Sequence, residues 1–275
     1  MVAENDEDIA FLKNKISAEN KYGIETVLIG GEDVKKQIPH VSKNIIAAAY
    51  CPGEGKINPM LATPALAKEA ERLGTKYNLE TTVLSIEKEK HYFLVKTNNG
   101  VIKSKYLVNA AGGWSSKITE MLGIKMPVLS APQQMIVTES SVPIIPSMIS
   151  HAHRHLTMKQ IKNGNLIIGG GWFAGYNKKL NRTFNYNNAI SGNLWVAQRV
   201  IPTIGHLNII RTWSTIGVMI DGAPILGETP GTKNFYQAVG ANGYTMAPVM
   251  GNIISDLIKG TSPDIDIESF SLNRF

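Results

Sequence analysis

The chain has little cysteine, no long apolar run and no concentrated block of charge. Cys51 is the one cysteine in 275 residues. No disulfide can therefore form within the chain, and a reducing cytoplasm is the default expectation. No apolar stretch approaches the roughly 18 residues needed to span a bilayer. The first ten residues carry acids, where a signal peptide would be basic and then apolar. On that reading the sequon Asn181-Arg182-Thr183 is chance. Basic residues outnumber acidic ones 28 to 22, but they are scattered, with short clusters at Lys35-Lys36 and Lys178-Lys179. No stripe of Arg and Lys interleaved with aromatics is present, which argues against nucleic acid as a partner. There is no internal repeat and no low-complexity tract.

What is present is an ordinary globular composition, 43% hydrophobic and 18% charged, long enough for one large or two modest cores. Apolar spacing predicts a helix over residues 7–20, a strand at Thr26–Ile29, and a helix opened by Gly30-Gly31-Glu32-Asp33. A helix from Asn58-Pro59 to Gly74 carries Leu61, Leu66, Ala70 and Leu73 at helical spacing. Strand-like segments follow at Glu80–Ile86, at Tyr92–Thr97, and as one run from Gly100 to Asn109, with a hairpin at Asn98-Asn99-Gly100. A β-rich middle contains Gln134–Thr138, Leu156–Gln160 and Leu166–Ile168, and a helix follows at Asn188–Val200. Strands at Arg211–Trp213 and Asn234–Val239 precede a last helix, Met246–Lys259, stopped by Gly260. Helices and strands mix without strict alternation, which predicts an α/β fold with an added antiparallel sheet.

Three motifs carry chemistry. In Tyr106-Leu107-Val108-Asn109-Ala110-Ala111-Gly112-Gly113-Trp114-Ser115-Ser116, an apolar strand runs into small residues and then a Ser-led helix. Small residues at a strand end let backbone approach a ligand, and the helix N-terminus behind them can face an anion. The same pattern also describes a tight strand-to-helix turn with no ligand. In Gly240-Ala241-Asn242-Gly243-Tyr244-Thr245-Met246-Ala247-Pro248, a second strand runs into a Gly-rich helix entry whose amides are left unpaired. A Gly-lined packing contact is the alternative there. The third is Arg211-Thr212-Trp213-Ser214-Thr215-Ile216-Gly217 followed by Asp221-Gly222-Ala223-Pro224, a turn before an apolar strand.

In this order and spacing the three resemble the D-amino-acid oxidase superfamily, most closely its glycine oxidase, sarcosine oxidase and amino-acid dehydrogenase branch. Tyr50-Cys51-Pro52-Gly53-Glu54-Gly55 and the stretch from Leu156 to Trp172 fit the same pattern. The resemblance implies a partial Rossmann-like FAD-binding domain, residues 58–118 and 211–275, and an antiparallel substrate domain, residues 1–57 and 119–210. It implies non-covalent FAD and oxidation of the C–N bond of a small amine or amino acid by hydride transfer to flavin N5. By position, Val83, Ala110, Gly112, Trp114, Gly217, Asn242, Gly243, Tyr244, Thr245 and Met246 would contact the cofactor. Gln134, Trp172 and Tyr244 would wall the substrate pocket. No catalytic residue is assigned by this resemblance.

The chain also departs from that pattern. The opening Gly-x-Gly-x-x-Gly unit of the family is absent, so the expectation is a truncated enzyme, or else a non-catalytic or partner-dependent subunit of a split flavoenzyme. A partner chain or homo-oligomer is therefore expected. Gly169-Gly170-Gly171-Trp172-Phe173-Ala174 matches loosely but lacks a following helix, and is read as a substrate-domain turn. Gly217 and Val218 stand where glycine oxidase-like members place a carboxylate-holding arginine. His151, His153 and His155 alternate and would share one face of a strand, but no metal is expected there.

Overall fold

A computed structural model describes residues 1–275. In chain order the elements begin with β1 (Val2–Ala3), α1 (Asp6–Lys21), β2 (Val27–Gly30), α2 (Gly31–Gln37), β3 (Ala47–Tyr50) and α3 (Pro59–Arg72). Then come β4 (Val83–Lys88), β5 (Phe93–Thr97), β6 (Gly100–Ser104), β7 (Leu107–Asn109), α4 (Ser115–Glu120) and β8 (Leu129–Ser140). The middle holds β9 (Ile149–Ser150), β10 (Thr157–Gln160), β11 (Asn165–Gly169), β12 (Gly175–Asn177), β13 (Arg182–Phe184) and α5 (Asn187–Val200). The chain closes with β14 (Ile209–Met219), β15 (Ile225–Glu228), β16 (Phe235–Val239) and α6 (Gly243–Lys259). No helix is long and apolar enough to cross a membrane.

The chain divides into two discontinuous compact units, Met1–Glu69 with Pro132–Thr215, and Ala70–Ala131 with Ile216–Phe275. The junctions fall inside α3, β8 and β14, at residues 69/70, 131/132 and 215/216.

The first unit is built on a sheet of order β14-β8-β11-β10-β9, with β11 antiparallel to β8 and β10. Period-two alternation buries Ile136 on β8, Leu166 and Ile168 on β11 and Met158 on β10. They form one core with Val196, Ala197 and Val200 of α5. Each large apolar side chain so buried stabilises the fold by about 1.5–3 kcal/mol. A smaller sheet, β1-β3-β2, packs Ala3, Ala47 and Ala49 against Leu12 of α1. Asn5 caps α1 by accepting the Asp8 amide at 2.9 Å.

The second unit holds a sheet of order β15-β16-β7, in which β16 is parallel to β7 and antiparallel to β15. Helix α6 lays Met250, Ile253 and Ile254 on Leu226 and Tyr236 of that sheet. It ends at Gly260, whose φ of +79° is the left-handed conformation glycine accepts without strain. A separate meander, β4-β5-β6, packs Ile86, Phe93 and Val95 with Phe235.

The single strand expected over residues 100–109 is two strands in two sheets. Strand β6 completes a hairpin with β5, the chain turns at Lys105-Tyr106, and β7 pairs in parallel with β16. Apolar periodicity reports which residues are buried, not which strand they join. Strand β14 reaches Met219, so Gly217 of the third motif lies within a strand and not in a loop. Helix α3 forms where expected but buries no residue, and exposes Met60, Leu61 and Leu66.

Candidate cofactor site

The parallel pairing of β7 and β16 decides where the motifs meet. Leu107 pairs with Phe235, Val108 with Tyr236 and Asn109 with Gln237, so both strands point the same way and end together. The first motif leaves the carboxyl end of β7 and the second leaves the carboxyl end of β16. Ile225 pairs with Val239, which brings the turn before β15, Asp221 to Pro224, to the same end. In open parallel sheets, ligands bind at this end of the strands.

Buried polar groups lock the strand ends. Asn109 Nδ2 donates to Gln237 Oε1 at 2.8 Å and to the Ser115 carbonyl at 3.0 Å. Asn109 Oδ1 accepts the Ala111 amide at 3.2 Å, and Gln237 Nε2 donates to Thr229 Oγ1 at 2.8 Å. Both side chains are 1–2% exposed, and satisfied buried polar networks fix geometry.

The first and third motifs touch. A Cβ on Gly113 would lie 2.5 Å from Ile216 Cγ2 and 3.0 Å from the Gly217 carbonyl oxygen, so only glycine fits. Its neighbour Gly112 has φ +56°, which disfavours any side chain there. Ser130 Oγ donates to the Gly113 carbonyl at 2.8 Å and holds the loop from the other side. Ala110 and Trp114 remain exposed beside it.

The entry of α6 supplies free donors. Asn242 is the N-cap, but its side chain makes no capping bond. Gly243 N–H donates to the Gly240 carbonyl at 3.2 Å, and Met246 N–H donates to the Asn242 carbonyl at 3.1 Å. The amides of Tyr244 and Thr245 find no acceptor in the chain. Met246, expected to contact the cofactor, has no free amide to offer, because the first helical turn already uses it. A Cβ on Gly243 would meet nothing within 4 Å, and its φ is not left-handed. Neither backbone strain nor a neighbour in the chain requires glycine there, and the open space beside two unpaired amides is a cradle for an anionic or polar edge. These features fit a flavin.

Val83, Gln134 and Trp172 fall elsewhere. Val83 opens β4 and packs with the Ile86–Phe93 cluster. Gln134 is 1% exposed, on the face of β8 that meets α5, and its Oε1 accepts the Tyr186 amide at 3.2 Å. It packs in the core and not in an open pocket wall. Trp172 donates Nε1–H to the His155 carbonyl at 2.7 Å and lies so close to Gly192 of α5 that no Cβ would fit. Tyr244 is exposed at the α6 entry. Sequence reading gave Gln237 and Arg274 no role. Gln237 announces itself as a lone polar residue in the apolar strand Phe235–Val239, whereas nothing local marks Arg274.

The three histidines do not share a strand face, because residues 152–154 form bends. His151 Nδ1 accepts the amides of His153 and Arg154, each at 3.2 Å, which assigns the ring proton to Nε2. That nitrogen faces Glu4 Oε2 at 3.6 Å and Asp8 Oδ2 at 3.9 Å. Burial holds the imidazole below its ordinary pKa against the pull of both carboxylates. His153 Nδ1 lies 2.6 Å from Asp8 Oδ1. Arg154 and Arg199 approach Glu4 at 2.9 and 2.6 Å, and both stack on Trp195. Burial pushes the Glu4 carboxyl up, and these two arginines outweigh it and hold the group below its ordinary value. The cluster is an ionic tie between α1 and the loop after β9.

Comparison with known proteins gives the same picture. The sarcosine oxidase subunit beta of an Arthrobacter species is 26% identical over 95% of this chain and 66% of its own length. The glycine oxidase of Bacillus subtilis (strain 168) is 25% identical over 88% of this chain and 65% of its own. The chain thus spans just under two thirds of the length of these curated relatives. The crystal structure of an L-proline dehydrogenase from P. horikoshii superposes with a TM-score of 0.91 at 30% identity, covering 100% of this chain and 75% of that one. The profile described as "DAO: FAD dependent oxidoreductase" matches residues 1–257. With that match over both units, and with the glycine-bearing loops gathered at one sheet end, the chain belongs to the DAO family of FAD-dependent oxidoreductases.

Proposed function

We propose that the chain forms part of an FAD-dependent oxidoreductase that oxidises the C–N bond of a small amine or amino acid. The observation that carries this reading is the gathering of the loops after β7 and β16 and before β15 at one end of the sheet. Gly112, Gly113 and Gly217 shape the floor, and the free amides of Tyr244 and Thr245 offer donors to an electron-rich ring edge. Ala110, Trp114 and Asn242 border the same loops. FAD, when bound without a covalent link, supplies the hydride acceptor at N5 for oxidation of the amine carbon. The chain's own task is to orient that carbon and exclude water. The named relatives act on sarcosine, glycine and L-proline, each an amine with a carboxylate on the adjacent carbon, and this supports the same class here. The unpaired thiol of Cys51 fits a reducing cytoplasm.

The test is anaerobic addition of L-proline, sarcosine, glycine and D-alanine to the flavin-loaded protein. Bleaching of the flavin band by at least one supports the reading. A protein that takes up FAD and is bleached by none of them contradicts the substrate class.

A second reading has its own support: the chain works only beside a further polypeptide segment. Met60, Leu61 and Leu66 of α3 and the following Leu73 are 67–80% exposed, an apolar face that water disfavours. The beta-subunit names of several relatives point the same way. On this reading the isolated chain self-associates as its concentration rises. A monodisperse monomer in sedimentation across that range contradicts it.

A further inference from the structure

Lysines that are scattered in the sequence converge in space at the opposite end of the second unit's sheet. Lys105 directly precedes Tyr106 and β7, Lys233 directly precedes Asn234 and β16, and Lys88 and Lys90 lie where β4 turns toward β5. All four line one cavity of about 370 Å³, together with His91 and Tyr106. Lys103 does not line the cavity, but its ammonium lies 3.7 Å over the ring of Tyr92, which does. None of the five makes an ion pair with a carboxylate. Glu89 sits between Lys88 and Lys90 in the chain but does not line the cavity, and Glu228 is engaged by the Asn234 amide at 2.6 Å. Lys88 is preorganised: its Nζ donates to the Lys233 carbonyl and rests 4.4 Å over the Phe93 ring.

Like charges gathered round a concave space repel, and the field they make there attracts anions. No carboxylate lines the cavity, although Glu228 reaches its rim at the Asn234 amide, so an anion of matching multivalency would offset the remaining repulsion. Both tyrosine rings are already covered by lysines, Tyr92 by Lys103 and Tyr106 by Lys105, which leaves charge and not base stacking as the basis of recognition. We propose that this cleft binds a polyphosphate group, carried by a nucleoside triphosphate or by an inorganic phosphate chain. The site lies at the amino ends of β7 and β16, away from the loops assigned to the flavin, and the proposal does not depend on the flavin reading.

The experiment is calorimetric titration of the intact protein with sodium triphosphate and, separately, with ATP. Saturable binding of either supports the site; tighter binding of ATP names a nucleotide as the source, and equal binding names the phosphate chain alone. The triple variant Lys90→Gln, Lys105→Gln, Lys233→Gln weakens binding by about tenfold or more, as loss of three charge contacts implies. Without ligand, that variant unfolds at the same temperature as the wild type or higher, because repulsion is relieved. The control Lys178→Gln, Lys179→Gln keeps its affinity, and saturating FAD does not displace triphosphate. Absence of binding, equal loss in the control, or displacement by FAD overturns the proposal. So does a protein that binds polyglutamate but neither phosphate probe, since the cleft would then fit an acidic protein surface.

Discussion

Arg274 grips Asp221 with both arms of its guanidinium, Nε to Oδ2 at 2.8 Å and Nη2 to Oδ1 at 3.0 Å, and Nη2 also donates to the Ala223 carbonyl at 3.2 Å. The pair joins the last turn of the chain to the loop that enters β15, beside the end of β16. The Arg274 contact holds the Asp221 carboxyl down at about 2, from an ordinary 3.8. A depressed carboxylate stabilises the fold above its unfolded value, and that contribution disappears as pH falls through its folded value. Arg274→Gln therefore lowers the unfolding midpoint near neutral pH. The gap to the wild type closes between about pH 4 and pH 2, where protonation of Asp221 removes the same pair. Midpoints measured across that range check this, and a gap that stays constant contradicts it.

Gly113→Ala drives a methyl group to within 2.5 Å of Ile216 Cγ2. Overpacking of this kind costs about 1–3 kcal/mol. Ile216→Ala in the same chain opens the space, so the double variant recovers part of the loss. Urea denaturation of the two single variants and the double one measures the coupling. Additive losses would show that the loop after β7 and strand β14 do not press on each other.

Most element positions were legible because they rest on local signals. Asn98-Asn99 closes the β5–β6 hairpin with Thr97 opposite Gly100, and Gly260 stops α6 in the left-handed conformation that Gly alone adopts freely. What was not legible depended on partners distant in sequence. The run from Gly100 to Asn109 reads as one strand until β16 arrives to pair with its second half. Local sequence also does not show that Gln134 is buried on β8 or that Trp172 packs against Gly192 of α5. The histidine spacing promised a shared face only if the segment were a strand, and the bends at 152–154 remove that premise.

Glu4, 4% exposed at its side chain, pairs with two arginines at once. Glu4→Gln leaves Arg154 and Arg199 without a countercharge. Both are about a third exposed, so water recovers part of the penalty, and the loss is about 2 kcal/mol. Chemical denaturation of the variant measures it. A loss below about 0.5 kcal/mol, the range of an ordinary surface substitution, would mean that solvent already screens the pair.

Gly243 separates a cofactor role from a structural one. A side chain there meets nothing in the chain and needs no unusual backbone angle, so Gly243→Val leaves the unfolding temperature of the flavin-free protein nearly unchanged. Gly260→Ala, at φ +79° on the far end of the same helix, costs about 1 kcal/mol of stability and leaves the cofactor loop untouched. FAD titration of the three proteins, followed by the flavin's own absorbance and fluorescence, then gives opposite outcomes for the two variants. With the cofactor at the α6 entry, Gly243→Val binds FAD at least about tenfold more weakly than the wild type, and Gly260→Ala binds it as the wild type does. Equal FAD affinity in the wild type and Gly243→Val would place the cofactor elsewhere and leave the Gly-rich entry of α6 without a ligand.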